Sequence, residues 1–150
     1  MTLPPITRFF DDYRWLSNFW PARVRGVGGL WYPTVEHGYV AAKSKDPEVW
    51  KAIQQVEKPG QVKRIGRTIE LRPEWESYNG AFKIAAMSDL LEQKFADPIL
   101  RAKLNETKGR ELIEGNTWGD TFWGQCPVGN GHNHLGKLIM SIRDDVSQYF

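Results

Sequence analysis

Two stretches of this chain place acids, a base and aromatic rings at spacings suited to chemistry on a ring. In Asn116-Thr117-Trp118-Gly119-Asp120-Thr121-Phe122-Trp123-Gly124 one carboxylate lies between two tryptophans, with a glycine beside it and another after the second indole. Indoles offer flat apolar faces, a carboxylate offers charge or a proton, and glycine lets backbone approach a ligand. The run therefore reads as a pocket for a heteroatom-bearing ring. The same residues also suit an aromatic turn on the core in which Asp120 is a cap. In Val35-Glu36-His37-Gly38-Tyr39-Val40-Ala41-Ala42-Lys43, Glu36 and Lys43 return to nearly one azimuth of a helix with a rise of ~10 Å between them, so their long side chains can converge on one ligand. A solvated charged face is the plain alternative. Tyr39, Val40, Ala41 and Ala42 leave little room for one, and His37, a quarter turn away, suits a hydrogen-bonded structural role.

Two further stretches suit phosphate. Gly131 to Lys137 has the spacing of a nucleotide-binding P-loop, but Leu138 stands where a magnesium-binding Ser or Thr is required, which removes the NTPase reading. The backbone N–H groups at the start of the following helix, with Lys137, remain candidates for a phosphate or sugar hydroxyl, against a tight turn that needs glycine for positive φ. Lys58, Lys63, Arg64 and Arg67 put four cations in ten residues, either a phosphate site or a solvated helix face. His132 and His134 have no third ligand at a recognisable spacing, so neither a metal nor a cofactor is expected.

The elements that must position these residues follow from pattern. A chain of 150 residues, 41% hydrophobic and 25% charged, suits one globular domain burying about 70% of its unfolded surface. Seven tryptophans exceed ordinary packing needs and favour stacking of planar ligands. A net charge of +2 is too small to signal a nucleic-acid stripe. Cys126 is the single cysteine, and no apolar run of signal or membrane-spanning length is present, so a cytoplasmic protein without disulfides or membrane contact is expected. The first thirty or so residues suggest brief strands such as Arg23-Val24-Arg25, with helices beginning only after Pro33. Thr34 caps a helix to about Ser44, and Asp46-Pro47 and Asp97-Pro98 start helices near 47–56 and 98–104. Pro73 opens the longest helix, to about Phe95, with Ile84, Met87, Leu90, Leu91 and Phe95 facing the core. Residues 111–115 form a short strand, 116–134 a loop, and Leu135 to Val146 a last helix. The sum is a helix-rich α+β domain with short N-terminal strands.

Phe9-Phe10 with Leu16-Ser17-Asn18-Phe19, then Val35-Glu36-His37 with Ala42-Lys43, Lys63-Arg64-Ile65-Gly66-Arg67, Arg72-Pro73-Glu74-Trp75, Trp118-Gly119-Asp120 with Phe122-Trp123-Gly124, and Asn133-His134-Leu135-Gly136-Lys137-Leu138-Ile139-Met140 occur in this order. In that order the chain closely resembles the NADAR (YbiA-like) family over nearly its whole length. The resemblance implies an α+β fold and hydrolysis of N-glycosidic bonds to ribose. It implies two substrate classes: ribosylamino-pyrimidine phosphates of riboflavin biosynthesis, and ADP-ribose attached to guanine, including in DNA. The family's functional positions fall on Glu36, Lys43, Trp75, Asp120 and Trp123; Asn18, Trp118, Gly124, Asn133, Gly136, Lys63, Arg64, Arg67 and Lys137 join them as candidate substrate contacts.

N-glycoside cleavage builds positive charge on the sugar and negative charge on the departing base. Glu36 is expected to stabilise the sugar cation or orient its hydroxyls, Asp120 to handle protons, and Trp75 and Trp123 to stack the base. Lys43 is either a charged contact or a nucleophile forming a Schiff base with the opened sugar. A non-catalytic module binding ADP-ribose or NAD is the alternative of a different class, and a nucleic-acid adaptor a third. Two acids at the heart of the motifs favour catalysis over binding alone.

Overall fold

A computed structural model describes residues 3–145 of the chain. The chain divides into two compact units, one from Asn18 to Lys94 and one from the residues up to Ser17 together with those from Phe95 onward. The architecture is α+β, with a short antiparallel hairpin and otherwise helices and loops.

In the inner unit β1 (Pro21–Arg25) pairs with β2 (Trp31–Thr34), Val24 opposite Tyr32 and Arg25 opposite Trp31, with an irregularity between Pro21 and Val24. Thr34 ends the hairpin and caps α1 (Val35–Ala42), in which every residue except Glu36 is buried. A helix enclosed this completely needs close neighbours, and Gly38 supplies one approach: a Cβ there would sit 2.9 Å from the Leu90 side chain on α4 (Ser77–Lys94). Around α1 lie α2 (Pro47–Gln55), α3 (Pro59–Gly66), α4 and the hairpin. The Asp46 side chain accepts from the N–H of Glu48, as its cap signal requires.

The longest helix departs from expectation. Residues 72–77 form tight turns, with Trp75 N–H bonded to the Arg72 carbonyl and Ser77 N–H to that of Glu74. Tyr78, Asn79 and Gly80 then take left-handed φ of 52°, 56° and 84°, so regular helix begins only beyond Gly80. Pro73 carries the right start signal, but Arg72 ties this segment to α1 and holds it out of a helix. The apolar stripe itself stands, with Met87, Leu90, Leu91 and Phe95 buried and Ile84 half-buried.

The outer unit begins with Ile6, whose N–H bonds the Glu111 carbonyl while its own carbonyl accepts from Ile113. A 3-10 helix at Asp11–Leu16 follows, and another spans Val27–Gly29 in the inner unit, so helical turns precede Pro33. Residues 111–115 make no continuous strand; two isolated parallel bridges, Ile6 with Leu112 and Gly115 with Gln125, replace it because no partner runs alongside for more than a residue. Asp97 caps α5 (Pro98–Asn105) through the N–H groups of Ile99 and Leu100. The last helix, α6, starts one residue earlier than expected and spans His134–Asp144; Val146 lies outside the described residues. Arg143 near its end is buried and bonds the carbonyls of Thr107 and Arg110. Among the described residues no helix is long and apolar enough to cross a membrane.

Candidate functional site

In the inner unit the chemistry gathers at the two ends of α1. His37 is fully buried, and its roles follow from its partners. The Val56 carbonyl can only accept, so Nε2 carries the proton and donates at 2.7 Å. Nδ1 then accepts from the Thr34 hydroxyl at 2.8 Å, while Oγ1 of Thr34 accepts the His37 N–H. Burial lowers its pKa, and the ring is a neutral brace, as its sequence position suggests. Next to it Glu36 donates its N–H to the Asn18 carbonyl at 3.1 Å. The Asn18 amide nitrogen reaches the Met87 sulfur at 3.6 Å, and among the described residues its buried Oδ1 has no hydrogen-bond partner.

Lys43 follows the last turn of α1, where its half-buried Nζ donates to the Gly66 carbonyl at 3.3 Å and lies 5.6 Å from the Tyr39 ring. Burial is the largest influence and lowers its pKa; Glu36 and Glu76 raise it, and Lys83 and Arg67 lower it. Lys83 itself donates to Glu76 at 2.9 Å. Arg72 holds this end of the helix in place: Nε donates to the Ala42 carbonyl at 2.7 Å, Nη2 to that of Ser44 at 2.9 Å, and its N–H to that of Lys43 at 2.7 Å. The carbonyls of Ala42, Lys43 and Ser44 at this helix end are thereby satisfied by one arginine, two by its guanidinium and one by its backbone N–H.

Trp75 is a correction. It is 2% exposed, with Tyr39 at 5.3 Å and Phe82 at 5.9 Å between ring centres, so it supports the Tyr39 wall and presents no stacking face to a base. Of the cations on α3 and just after it, Lys63 is half-buried and Arg64 and Arg67 are exposed; Arg67 is near enough to bear on the charge of Lys43.

In the outer unit the tryptophan run is a built turn. Buried Asn116 brackets Asp120, accepting its N–H at 3.0 Å and donating to its carbonyl and to Glu114 Oε2, both at 2.9 Å. Oδ1 of Asp120 accepts the N–H groups of Phe122 at 3.2 Å and Trp123 at 2.9 Å. That is the turn-cap role, and it leaves only Oδ2 for a ligand. Trp123 is 9% exposed and meets Phe122 edge-on at 4.8 Å, whereas Trp118 is 46% exposed.

The carbonyls of this turn answer the proposed phosphate cradle. His132, His134, Leu135 and Asn133 donate their N–H groups to Thr121, Phe122, Trp123 and Gly124 respectively, at 2.8 to 3.2 Å. The N–H groups of His134 and Leu135, the first two of α6, are therefore taken by protein carbonyls and are not open to a phosphate. Asn133 is likewise structural: at φ 52° its buried amide accepts from Glu114 N–H and donates to the Leu112 carbonyl, both at 2.9 Å. A Cβ on Gly136 would run into the Leu112 carbonyl, and one on Gly124 into the Glu114 carbonyl and carboxylate. Lys137 is exposed. His132 and His134 stack 5.3 Å apart, and among the described residues no group of three or more His, Cys, Asp or Glu is arranged to hold a metal ion.

The profile of the NADAR domain matches residues 8–147. This chain belongs to the NADAR family. It is 37% identical over 142 residues to the N-glycosidase YbiA of Escherichia coli, covering 91% of this chain and 84% of that protein. It is 33% identical over 147 residues to an N-glycosidase of Nostoc punctiforme, covering 93% and 89% of the two. A riboflavin biosynthesis protein of Vibrio vulnificus is 27% identical over 141 residues, 93% of this chain but 37% of that protein. The NMR structure of E. coli YbiA matches with a TM-score of 0.80 at 34% identity, covering 97% of this chain and 86% of that one.

Sequence reasoning on this NADAR chain passed over Arg72, Lys83, Glu114 and Asn116. Lys83 had a readable signal, since it precedes Met87 by one helical turn and so occupies the apolar stripe of α4, where a cation needs a reason. Glu114 had none, because its N–H is met by the distant Asn133, whereas Asn116 bonds Glu114 and Asp120, two and four residues away, in the same turn.

Proposed function

We propose that this NADAR protein is an N-glycosidase that hydrolyses the bond between ribose and a base, with Lys43 as its amine nucleophile and Glu36 as the group that exchanges protons with it. The observation that supports this most is the Lys43 amine: half-buried on a carbonyl, with its pKa drawn below the lysine range by burial. A lysine at its ordinary value of about 10.4 is free amine in only about one part in a few thousand at neutral pH, so any downward pull raises the reactive fraction directly.

In the proposed reaction the ribosylamine ring opens to an imine at C1. The Lys43 nitrogen adds to C1 and the base nitrogen leaves with a proton, giving a Lys43 Schiff base. Water then adds to C1, and the sugar departs as the free aldehyde while Lys43 recovers its amine. Atoms balance as one water consumed per bond cleaved. In the other unit Asp120 holds the Trp123 turn through Oδ1. Both a ribosylamino-pyrimidine phosphate and an ADP-ribosyl guanine, free or in DNA, carry the bond this chemistry requires. The lone thiol of Cys126 suits reaction in a reducing cytosol.

Borohydride added during turnover tests the nucleophile. A sugar adduct reduced onto Lys43 is expected by peptide mass mapping; an active enzyme that leaves no adduct there would remove Lys43 from this role. Tight binding of ADP-ribose with no base released from either substrate would instead favour the binding module.

A further inference from the structure

In the inner unit the chain between Trp75 and Phe82 forms a closed loop. The two rings at its ends stand 5.9 Å apart, and Trp75 lies 5.3 Å from Tyr39, whose ring is 5.6 Å from the Lys43 amine. The loop is thereby hung on the aromatic wall beside Lys43. It is also fastened at both sides of its tip: Ser77 N–H bonds the Glu74 carbonyl at 3.1 Å, Glu76 accepts from Lys83 at 2.9 Å, and Gly80 is buried. Glu76 and Lys83 are both near enough to bear on the charge of Lys43.

Between these fastenings Tyr78 stands out. Its side chain is 90% exposed while its backbone takes φ 52° and ψ 49°, and Asn79 and Gly80 continue the left-handed turn. Glycine and asparagine tolerate that conformation, but for a bulky aromatic residue it is an outlier. Burial of the ring does not offset the cost, because the ring lies in solvent. Strain kept where packing does not require it marks a functional position. The side chain says which function, since a flat apolar face on a short fastened loop suits a planar ligand. The other rings of this wall are taken: Trp75 and Tyr39 are 2% and 9% exposed, and Phe82 has Trp75 beside it and the Arg72 guanidinium 4.8 Å from its centre.

We propose that Tyr78 is the stacking face of the Lys43 site, meeting the base of a substrate whose ribose C1 is held at the Lys43 amine, and that the left-handed turn at residues 78–80 serves to present it. The assignment rests on the N-glycosidase reading for the identity of the ligand, but the ring can be tested without turnover.

Incorporation of 3-fluorotyrosine into the full chain gives each tyrosine a fluorine NMR signal, and Tyr78→Phe identifies the one from Tyr78. In a Lys43→Ala background, which lacks the proposed nucleophile, the protein is titrated with a ribosylamino-pyrimidine phosphate and with an ADP-ribosyl guanine. A saturable shift of the Tyr78 signal with a base-bearing ligand is expected, and none with ribose 5-phosphate. A Tyr78 signal that neither base-bearing ligand moves overturns the assignment. During turnover, Tyr78→Ala should raise KM about tenfold with kcat held within about twofold, and Tyr78→Phe should keep both. Inhibition by ribose 5-phosphate, which has no base, should be unchanged in Tyr78→Ala; an equal loss there overturns the stacking role. Tyr78→Gly separates function from folding, because glycine accepts the left-handed backbone: its melting temperature should not fall, while KM should rise as in the alanine variant. A lowered melting temperature with native KM would make Tyr78 structural and overturn the proposal. If the unmodified protein releases no base from either substrate, the N-glycosidase reading fails, and the fluorine signal still decides whether Tyr78 meets a base.

Discussion

Glu36 bears on the charge of Lys43. The carboxylate favours the ammonium form and so raises the Lys43 pKa against the larger lowering by burial. Replacing Glu36 with Gln removes that support, and the Lys43 pKa must fall further. Turnover in Glu36→Gln is expected to drop at least about 100-fold through loss of proton exchange. The rising limb of its pH–rate profile should also move to lower pH. A limb that stays put or moves upward would separate Glu36 from Lys43. Asp120 calls for a different comparison, because Oδ1 caps the turn that carries Trp123. Asn keeps that acceptor and Ala does not. Asp120→Asn should therefore lose less than about tenfold in turnover, while Asp120→Ala should lose roughly 1 kcal/mol of stability in urea as a cap. A far larger loss of rate in a stable Asn variant would mean that the acid itself handles protons.

At the scale of elements, Gly124 and Gly136 sit where packing leaves no room for a Cβ. Gly136 lets α6 lie against the Leu112 carbonyl, and the Asn133 amide stitches the same segment to the helix start. Gly136→Ala forces the helix off a backbone oxygen that has nowhere to move, so about 1–3 kcal/mol of destabilisation is expected from chemical denaturation without ligand. Unaltered stability with impaired substrate affinity would restore the ligand-contact reading. The α1 and α4 pair uses the same device at Gly38 with Leu90. There the consequence is functional, since α1 carries Glu36 near one end and Lys43 at the other, and Arg72 completes its final turn.

At the scale of the whole molecule, the outer segments of the chain build one unit and the continuous middle builds the other, and the middle closes on Lys94, which is 1% exposed. Burial pulls the Lys94 pKa down to about 7. Below that value folded and unfolded chains both hold its proton and it adds no pH dependence. Between about 7 and the unfolded value near 10.4 only the unfolded chain holds it, so stability rises with pH across that window. Lys94→Met should remove this rise in denaturation curves measured at pH 7 and pH 10, and an unchanged slope would show that Lys94 does not titrate there. The helix starts at Thr34, Asp46 and Asp97 were legible in sequence because a cap acts on N–H groups two or three residues away. The α4 stripe was legible for the same local reason, and the ordered motifs sufficed to name the family. Trp75 looked like a stacking surface and is core, the N–H groups of His134 and Leu135 looked free and are filled, and the segment after Pro73, tied to α1 by Arg72, forms turns in place of a helix. Each of these depends on a partner distant in sequence, Tyr39 for Trp75, Thr121 to Gly124 for α6, and Ala42 to Ser44 for Arg72. Residue type and spacing determine which groups can act; only folding, by bringing distant carbonyls and rings against them, decides which are left available to a ligand.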